Sequence, residues 1–407
     1  MAARAVRNDK QEYVVGTPVA LDGATLVAHA MRQVQPDVVA AYPITPQTVI
    51  TEVFSEFVAN GEVGTEFIPV ESEHAALSAC IGAAAAGARA QTATSGPGLA
   101  LMWEVMYVTS GNRLPIVMHL ATRALSAPIN ILCDHSDVMG IRDTGWVILL
   151  AETSQEAYDN AIQAVRIAEH PDVKLPVVSA LDGFVTTHGV ERSEMLPDDI
   201  VAEFVGTYKA TYSILDVDRP VTVGALDFHD FYPEHKRQQI EAMARAEEVV
   251  RQVGQEFGEL TGRYHNPLEP YRMEDAEIAT LVIGSASGTV RVVVDDLRKQ
   301  GIRAGMVRLR CFRPFPRKEL ATLFGGLRAV GILERSISPG GSGHPLFMET
   351  SSALYQQESP PRLHSYVYGL GGRTPVPEQF FQAYHELQAD RGDEAGLSLP
   401  TYLGIRE

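Results

Sequence analysis

The sequence predicts an α/β protein: a parallel sheet with helices on both faces, followed by a smaller α/β module. Three observations predict it. Short apolar runs alternate with helical patterns of about 10–15 residues, the order expected of a covered parallel sheet. A chain of 407 residues has room for two domains at roughly 100–200 residues each. The alternation also stops once, at Tyr264–Glu277, which holds two prolines, several charges and little periodicity, and then restarts.

The elements follow in order. Asp22–Gln35 has apolar positions at helical spacing, and Asp37–Ala41 is a short strand running into Tyr42-Pro43-Ile44-Thr45-Pro46. Thr48–Ala59 is helical, Phe67–Val70 a buried strand, and a helix of small residues starts at about Glu73. Ala90–Thr94 is a strand ending at Ser95-Gly96-Pro97-Gly98, and Leu99–Thr109 a helix. Pro115–Leu120 is a strand, Ser154–Glu169 a helix, and Pro176–Ala180 a strand ending at Asp182-Gly183. A long charged helix runs from about Pro233 to Gly262. The second module has strands at Ala279–Gly284, Arg303–Leu309 and Ala329–Leu333, and helices at Thr289–Gln300, Lys318–Phe324 and Pro375–Leu387. The resulting division is 1–263, a linker at 264–277, and 278–407.

Composition excludes several classes. With 34 Lys+Arg against 51 Asp+Glu, the net charge of −17 argues against a nucleic-acid binder that neutralises phosphates. Cys80, Cys133 and Cys311 form no C-x-x-C, so the chain has no iron–sulfur ligand set and no cysteine zinc site. Met1–Pro18 carries Arg4, Arg7, Asn8, Asp9 and Lys10 without an apolar core, unlike a secretory signal. The longest near-apolar run, Ala75–Ala88, is shorter than the roughly 20 residues of a membrane span. The expectation is a soluble cytoplasmic protein that binds no membrane.

In parallel α/β sheets ligands gather where strand C-termini meet helix N-termini, and four loops there stand out. Thr45 lies between two prolines that restrict the backbone, which presents its hydroxyl in a fixed place or simply makes a rigid turn. Glu71 and Glu73 follow an apolar strand; either serves a site or caps the next helix. Ser95-Gly96-Pro97-Gly98 can bring backbone N–H groups close to a ligand, yet lacks the lysine of a P-loop and the G-x-G-x-x-G fingerprint. Arg123 directly follows a strand, placed to hold a carboxylate bidentately or to make a structural ion pair. Asp134-His135-Ser136-Asp137 has metal-type residues, but neighbours in sequence cannot all point at one ion. Pro339-Gly340-Gly341-Ser342-Gly343 fits an anion nest or a flexible turn.

Taken together these segments resemble the α subunit of the 2-oxoacid:ferredoxin oxidoreductases, the pyruvate and branched-chain members above all. The matching residues are Ala41–Pro46, Glu71–Ala75, Thr94–Met102, Thr122–Ser126, Asp134–Asp137, Leu181–Phe184 and Arg308–Phe315, in family order from about Thr17 to Tyr384. The resemblance implies a pyrimidine-binding domain of thiamine diphosphate enzymes followed by a transketolase C-terminal-like domain. It gives Glu73 the role of the glutamate that hydrogen-bonds N1′ of the aminopyrimidine, and puts Ser95 and Gly96 beside the cofactor. Thr45 and Arg123 then hold the 2-oxoacid carboxylate. The chain has Leu-Asp-Gly at 21–23 and 181–183 but no Gly-Asp-Gly, the family's diphosphate and Mg²⁺ motif. The implied enzyme therefore shares thiamine diphosphate with a β subunit carrying the diphosphate-binding domain. Mg²⁺ and [4Fe-4S] clusters sit on that or further iron–sulfur subunits, with CoA and ferredoxin as co-substrates, and no metal on this chain. Pro46-Gln47-Thr48 suits pyruvate, whereas Ser95-Gly96-Pro97-Gly98 is closer to the 2-oxoglutarate members. The alternatives are 2-oxoisovalerate, 2-oxoglutarate or oxalate as substrate, or a non-catalytic scaffold.

Overall fold

The computed structural model describes residues 5–8, 11–390 and 399–406; Arg4, Asp9 and Lys10 of the polar opening stretch lie outside the described residues. Two sheets organise the chain. The first has seven strands in the spatial order Cys311–Arg313, Val147–Leu150, Val177–Asp182, Val117–Thr122, Ala90–Thr94, Val38–Ala41, Glu66–Pro69. All pairings are parallel except that of Cys311–Arg313 with Val147–Leu150. The second sheet has six strands, in the order Leu268–Tyr271, Ala304–Leu309, Ile278–Val282, Ala329–Glu334, Arg362–Val367, Thr401–Tyr402.

Side-chain caps open three helices of the first module. The Asp22 carboxylate accepts from Thr25 N at 2.9 Å and opens Gly23–Val34. Ser72 Oγ accepts from Ala75 N at 3.2 Å and opens Glu73–Ala85. Thr153 caps Ser154–Glu169 in the same way. Each cap satisfies an N–H that would otherwise have no intrahelical partner, worth about 1 kcal/mol. The alanines of Glu73–Ala85 let that helix lie close on Val38–Ala41 and Ala90–Thr94.

Several expectations shift. The region Leu99–Thr109 is two helices, Gly96–Leu101 and Trp103–Gly111, because Met102 makes a turn between them. The strand expected at Pro115–Leu120 runs from Val117 to Thr122, which brings Arg123 right to its end. Inside 264–277, Leu268–Tyr271 is an antiparallel edge strand of the second sheet. Cys311–Arg313 leaves the second sheet altogether and completes the first.

The modules also meet through buried charge. Helix Ser154–Glu169 carries Glu156, Asp159, Asn160 and Gln163, spaced i, i+3, i+4 and i+7 on one buried face. Arg308 forks onto Glu156 with both N–H···O distances at 2.8 Å. Arg310, wholly buried, bonds Asn160 Oδ1, Gln163 Oε1 and the His265 carbonyl. The Arg308–Phe315 segment is therefore a structural bolt, and removing one partner of such a buried pair costs about 3–5 kcal/mol.

Candidate functional site

The first sheet reverses its winding direction at Val38–Ala41. The chain crosses from that strand to Glu66–Pro69 on one side, then returns to Ala90–Thr94 on the other. A crevice forms outside the carboxyl ends of the strands at such a reversal. Thr45, Glu73, Ser95, Gly96 and Arg123 all follow the carboxyl ends of the strands around it.

Arg123 ties the crevice together. Its Nη1 donates to the Thr45 carbonyl at 3.0 Å and its Nε to the Asn130 carbonyl at 3.0 Å. A guanidinium has five N–H donors, so three are left among the described residues for a ligand. The residue is buried, whereas Thr45 is exposed with its side chain at the rim. Gly96 has φ +45°, and a Cβ there would lie 3.0 Å from Arg123 Cδ and 3.2 Å from Arg123 Cβ. The glycine lets the arginine stem lie across the loop.

Gly98 does the same for Glu73. A Cβ at 98 would sit 2.6 Å from Glu73 Oε1 and 2.8 Å from Cδ. Glu73 is 7% exposed, and its carboxylate has no hydrogen-bond partner among the described residues. Glu71 is exposed, and Ser72 is the residue that caps the helix. Ser95 is fully buried, and its Oγ has no partner among the described residues. The loop's glycines thus give clearance to two side chains; the Gly96 N–H itself is taken by Asp137.

Asp137, singled out in the sequence as a metal-type residue, is instead a supporting residue of the crevice. Its Oδ2 accepts from Gly96 N at 3.0 Å and Arg123 N at 2.9 Å, and its Oδ1 from Val138 N at 2.7 Å. Burial pushes its carboxyl up to about 8, while those three N–H donors pull the other way. The other residues of Asp134-His135-Ser136-Asp137 each serve a different partner. Asp134 Oδ2 accepts from Gly371 N at 3.2 Å, His135 Nε2 meets Asp182 Oδ1 at 2.8 Å, and Ser136 Oγ accepts from Leu125 N.

Asp182, read in the sequence only as a strand end, bridges the modules. It bonds His135 in the first, and Ser285 N, Ser285 Oγ and Arg335 Nη1 in the second, at 3.1, 2.6 and 3.0 Å. Burial opposes its ionisation, but His135 and Arg335 outweigh burial and hold the carboxyl well below the usual carboxylate range. Cys133, His135 and Asp182 stand close enough to hold a cation, as do Glu156, His265 and Glu269. In each cluster a guanidinium, from Arg335 or Arg308, already occupies the carboxylates. At Pro339–Gly343 the following helix, Pro345–Leu354, receives the chain's own Glu334. Its carboxylate accepts from Leu346 N at 2.6 Å and Phe347 N at 3.3 Å, and burial pushes it up to about 8. No helix among the described residues is long and apolar enough to cross a membrane.

Comparison with known proteins adds to this geometry. Residues 29–255 match the family described as "Pyruvate flavodoxin/ferredoxin oxidoreductase, thiamine diP-bdg", and residues 276–380 match "Pyruvate:ferredoxin oxidoreductase core domain II". The chain is 54% identical to pyruvate synthase subunit PorA of Thermotoga maritima, covering 96% of this chain and 98% of that protein. It is 46% identical to the PorA of Methanocaldococcus jannaschii (87% and 90%). To the ketoisovalerate oxidoreductase subunit VorA of Pyrococcus abyssi it is 42% identical (87% and 89%). The fold resembles a 2-oxoglutarate:ferredoxin oxidoreductase from Magnetococcus marinus, with TM-score 0.67 and 18% identity, over 91% of this chain and 65% of that one. It also resembles a split-gene transketolase, with TM-score 0.50 and 11% identity, over 89% and 93%.

Proposed function

This chain belongs to the pyruvate flavodoxin/ferredoxin oxidoreductase family, and on that premise we propose that its 2-oxoacid is pyruvate and that Thr45, Glu73 and Arg123 serve the reaction. It is the α subunit of a 2-oxoacid:ferredoxin oxidoreductase. The reaction proposed is reversible: pyruvate, CoA and two oxidised ferredoxins give acetyl-CoA, CO2 and two reduced ferredoxins. A β subunit brings the diphosphate-binding domain with Mg²⁺, and that or further subunits bring the iron–sulfur clusters. The assembly is cytoplasmic. Five PorA relatives, at 43–54% identity, rank above the VorA of Pyrococcus abyssi at 42%, which favours pyruvate over 2-oxoisovalerate.

The observation that carries the reading is the pair of glycine clearances, Gly96 under Arg123 and Gly98 under Glu73. They hold one cation and one carboxylate, unpartnered among the described residues, on opposite sides of the sheet's reversal point. Glu73, buried against a surface that a single methyl would fill, fits the edge of a nitrogen heterocycle. When bound, thiamine diphosphate supplies an electron sink for decarboxylation. Glu73 would hold the proton at the ring nitrogen it faces. Arg123 would fork onto the oxoacid carboxylate with its three remaining N–H groups, and the Thr45 hydroxyl would donate to the same group. Fixing the carboxylate orients the bond that breaks, so positioning is part of the catalysis. Glu73→Gln in the assembled complex should leave assembly intact and reduce oxoacid-dependent dye reduction by about 10²-fold or more; near-normal turnover would remove Glu73 from the mechanism. Arg123→Leu should raise KM for pyruvate far more than KM for CoA, and equal effects on both would make Arg123 structural.

A further inference from the structure

The guanidinium of Arg123 rests on two backbone carbonyls, and one of them is held from the far end of the chain. Asn130 supplies the carbonyl that accepts from Arg123 Nε. The Asn130 side chain faces the other way: its Nδ2 donates to the Gly371 carbonyl at 3.0 Å, and its Oδ1 accepts from Leu132 N at 2.7 Å. Gly371 in turn donates its N–H to Asp134 Oδ2. The turn Leu370–Gly372 belongs to the second module, 241 residues downstream of Asn130.

The loop around Asn130 is tied at its base, where Ala124 N donates to the Leu132 carbonyl at 3.0 Å, but its tip is exposed. Its neighbours Ile129 and Ile131 are 80% and 46% exposed, so apolar burial does not fix its path. Gly371 has φ +58°, and a Cβ there would stand 2.5 Å from Asn130 Nδ2. Only glycine allows both that backbone conformation and that approach.

We propose that Asn130 is a positioning residue for the oxoacid site, and that Gly371 of the second module acts through it to set the angle at which Arg123 meets the substrate carboxylate. The inference rests on the reading of Arg123 as the carboxylate ligand. It gives the second module a part in substrate recognition, transmitted to Arg123 through the Asn130 side-chain amide.

The test uses the whole complex and four variants: Asn130→Ala, Gly371→Ala, the two combined, and Arg123→Leu. The steady-state readouts are KM for pyruvate, KM for CoA and kcat, with the inhibition constant of oxamate, a pyruvate isostere, as a measure of binding without turnover. Each single variant should raise KM for pyruvate and the oxamate constant in parallel by about tenfold, kcat falling less, KM for CoA unmoved. The double variant should be no worse than Asn130→Ala alone, because both changes act on one contact. If Arg123→Leu raises the pyruvate KM while neither single variant does, this inference fails and the carboxylate reading stands. Equal rises in the pyruvate and CoA constants would also overturn it. An unaltered pyruvate KM in Arg123→Leu would sink the carboxylate reading and this inference with it.

Discussion

Gly98→Ala separates local preference from site geometry, because the two predict opposite signs. Gly98 lies in the helix Gly96–Leu101 with no positive φ, so alanine should favour the helix by about 1 kcal/mol. Its methyl would sit 2.6 Å from Glu73 Oε1 and 2.7 Å from Cγ, where ordinary contact begins at 3.4 Å. The Glu73 carboxyl must retreat by about 0.8 Å, and overpacking of this kind costs about 1–3 kcal/mol. The net effect on stability is small, a loss of about 0–2 kcal/mol. The effect on catalysis is not, since misplacing a reacting group by about 1 Å costs about 10²-fold in rate, or about 2.7 kcal/mol in barrier. The assay is oxoacid-dependent dye reduction by the assembled complex, with size exclusion and a thermal scan as controls. Turnover near one per cent of wild type in an intact complex, with KM for CoA unchanged, is the expected result. Activity within threefold of wild type would refute the argument that Gly98 is there to seat Glu73.

Asp182→Asn should destabilise the complex by about 3 kcal/mol, because it leaves the Arg335 guanidinium buried without its counter-charge. Its folded carboxyl lies below the ordinary value of 3.8, so the stabilisation it supplies is present above that value and lost as pH falls below it. Wild type and variant should therefore converge in acid unfolding, and a constant gap down to pH 2 would refute the assignment. Glu334 has the opposite sign. Its folded value of about 8 lies above the ordinary 4.5, so its contribution is full below pH 4.5 and lost as pH rises through about 8. Glu334→Gln should flatten the fall in melting temperature between pH 5 and pH 8; parallel curves would place the titration elsewhere.

Local signals made the helices legible. Thr48–Ala59 and Ser154–Glu169 have the bounds their patterns predicted, because a single amphipathic face and its flanking residues lie within one short window. The places of Thr45, Glu73 and Arg123 in the fold were legible for a different reason: each follows a strand end, and strand ends were readable. What escaped was long-range. Val147–Leu150 is a four-residue apolar run that periodicity alone does not distinguish from part of a helix. Cys311–Arg313 pairs with residues more than 160 positions earlier, and no local pattern encodes that partner. The supporting roles of Asp137 and Asp182 went unseen because their partners are backbone N–H groups and side chains from distant segments. Gly96 was read for its N–H, but what it contributes is the absence of a side chain.

The antiparallel pairing of Cys311–Arg313 with Val147–Leu150 sets a constraint on the order of synthesis. A ribosome that has released residues up to 263 has made six of the seven strands of the first sheet, and the edge at Val147–Leu150 still has no partner. Unpaired edges template association with other chains. The nascent protein must carry that edge for about fifty further residues, a few seconds at roughly 5–20 residues per second, before its own strand can close it. Truncation anywhere between 264 and 310 makes the exposure permanent, so the first module expressed alone should aggregate, however complete its crevice.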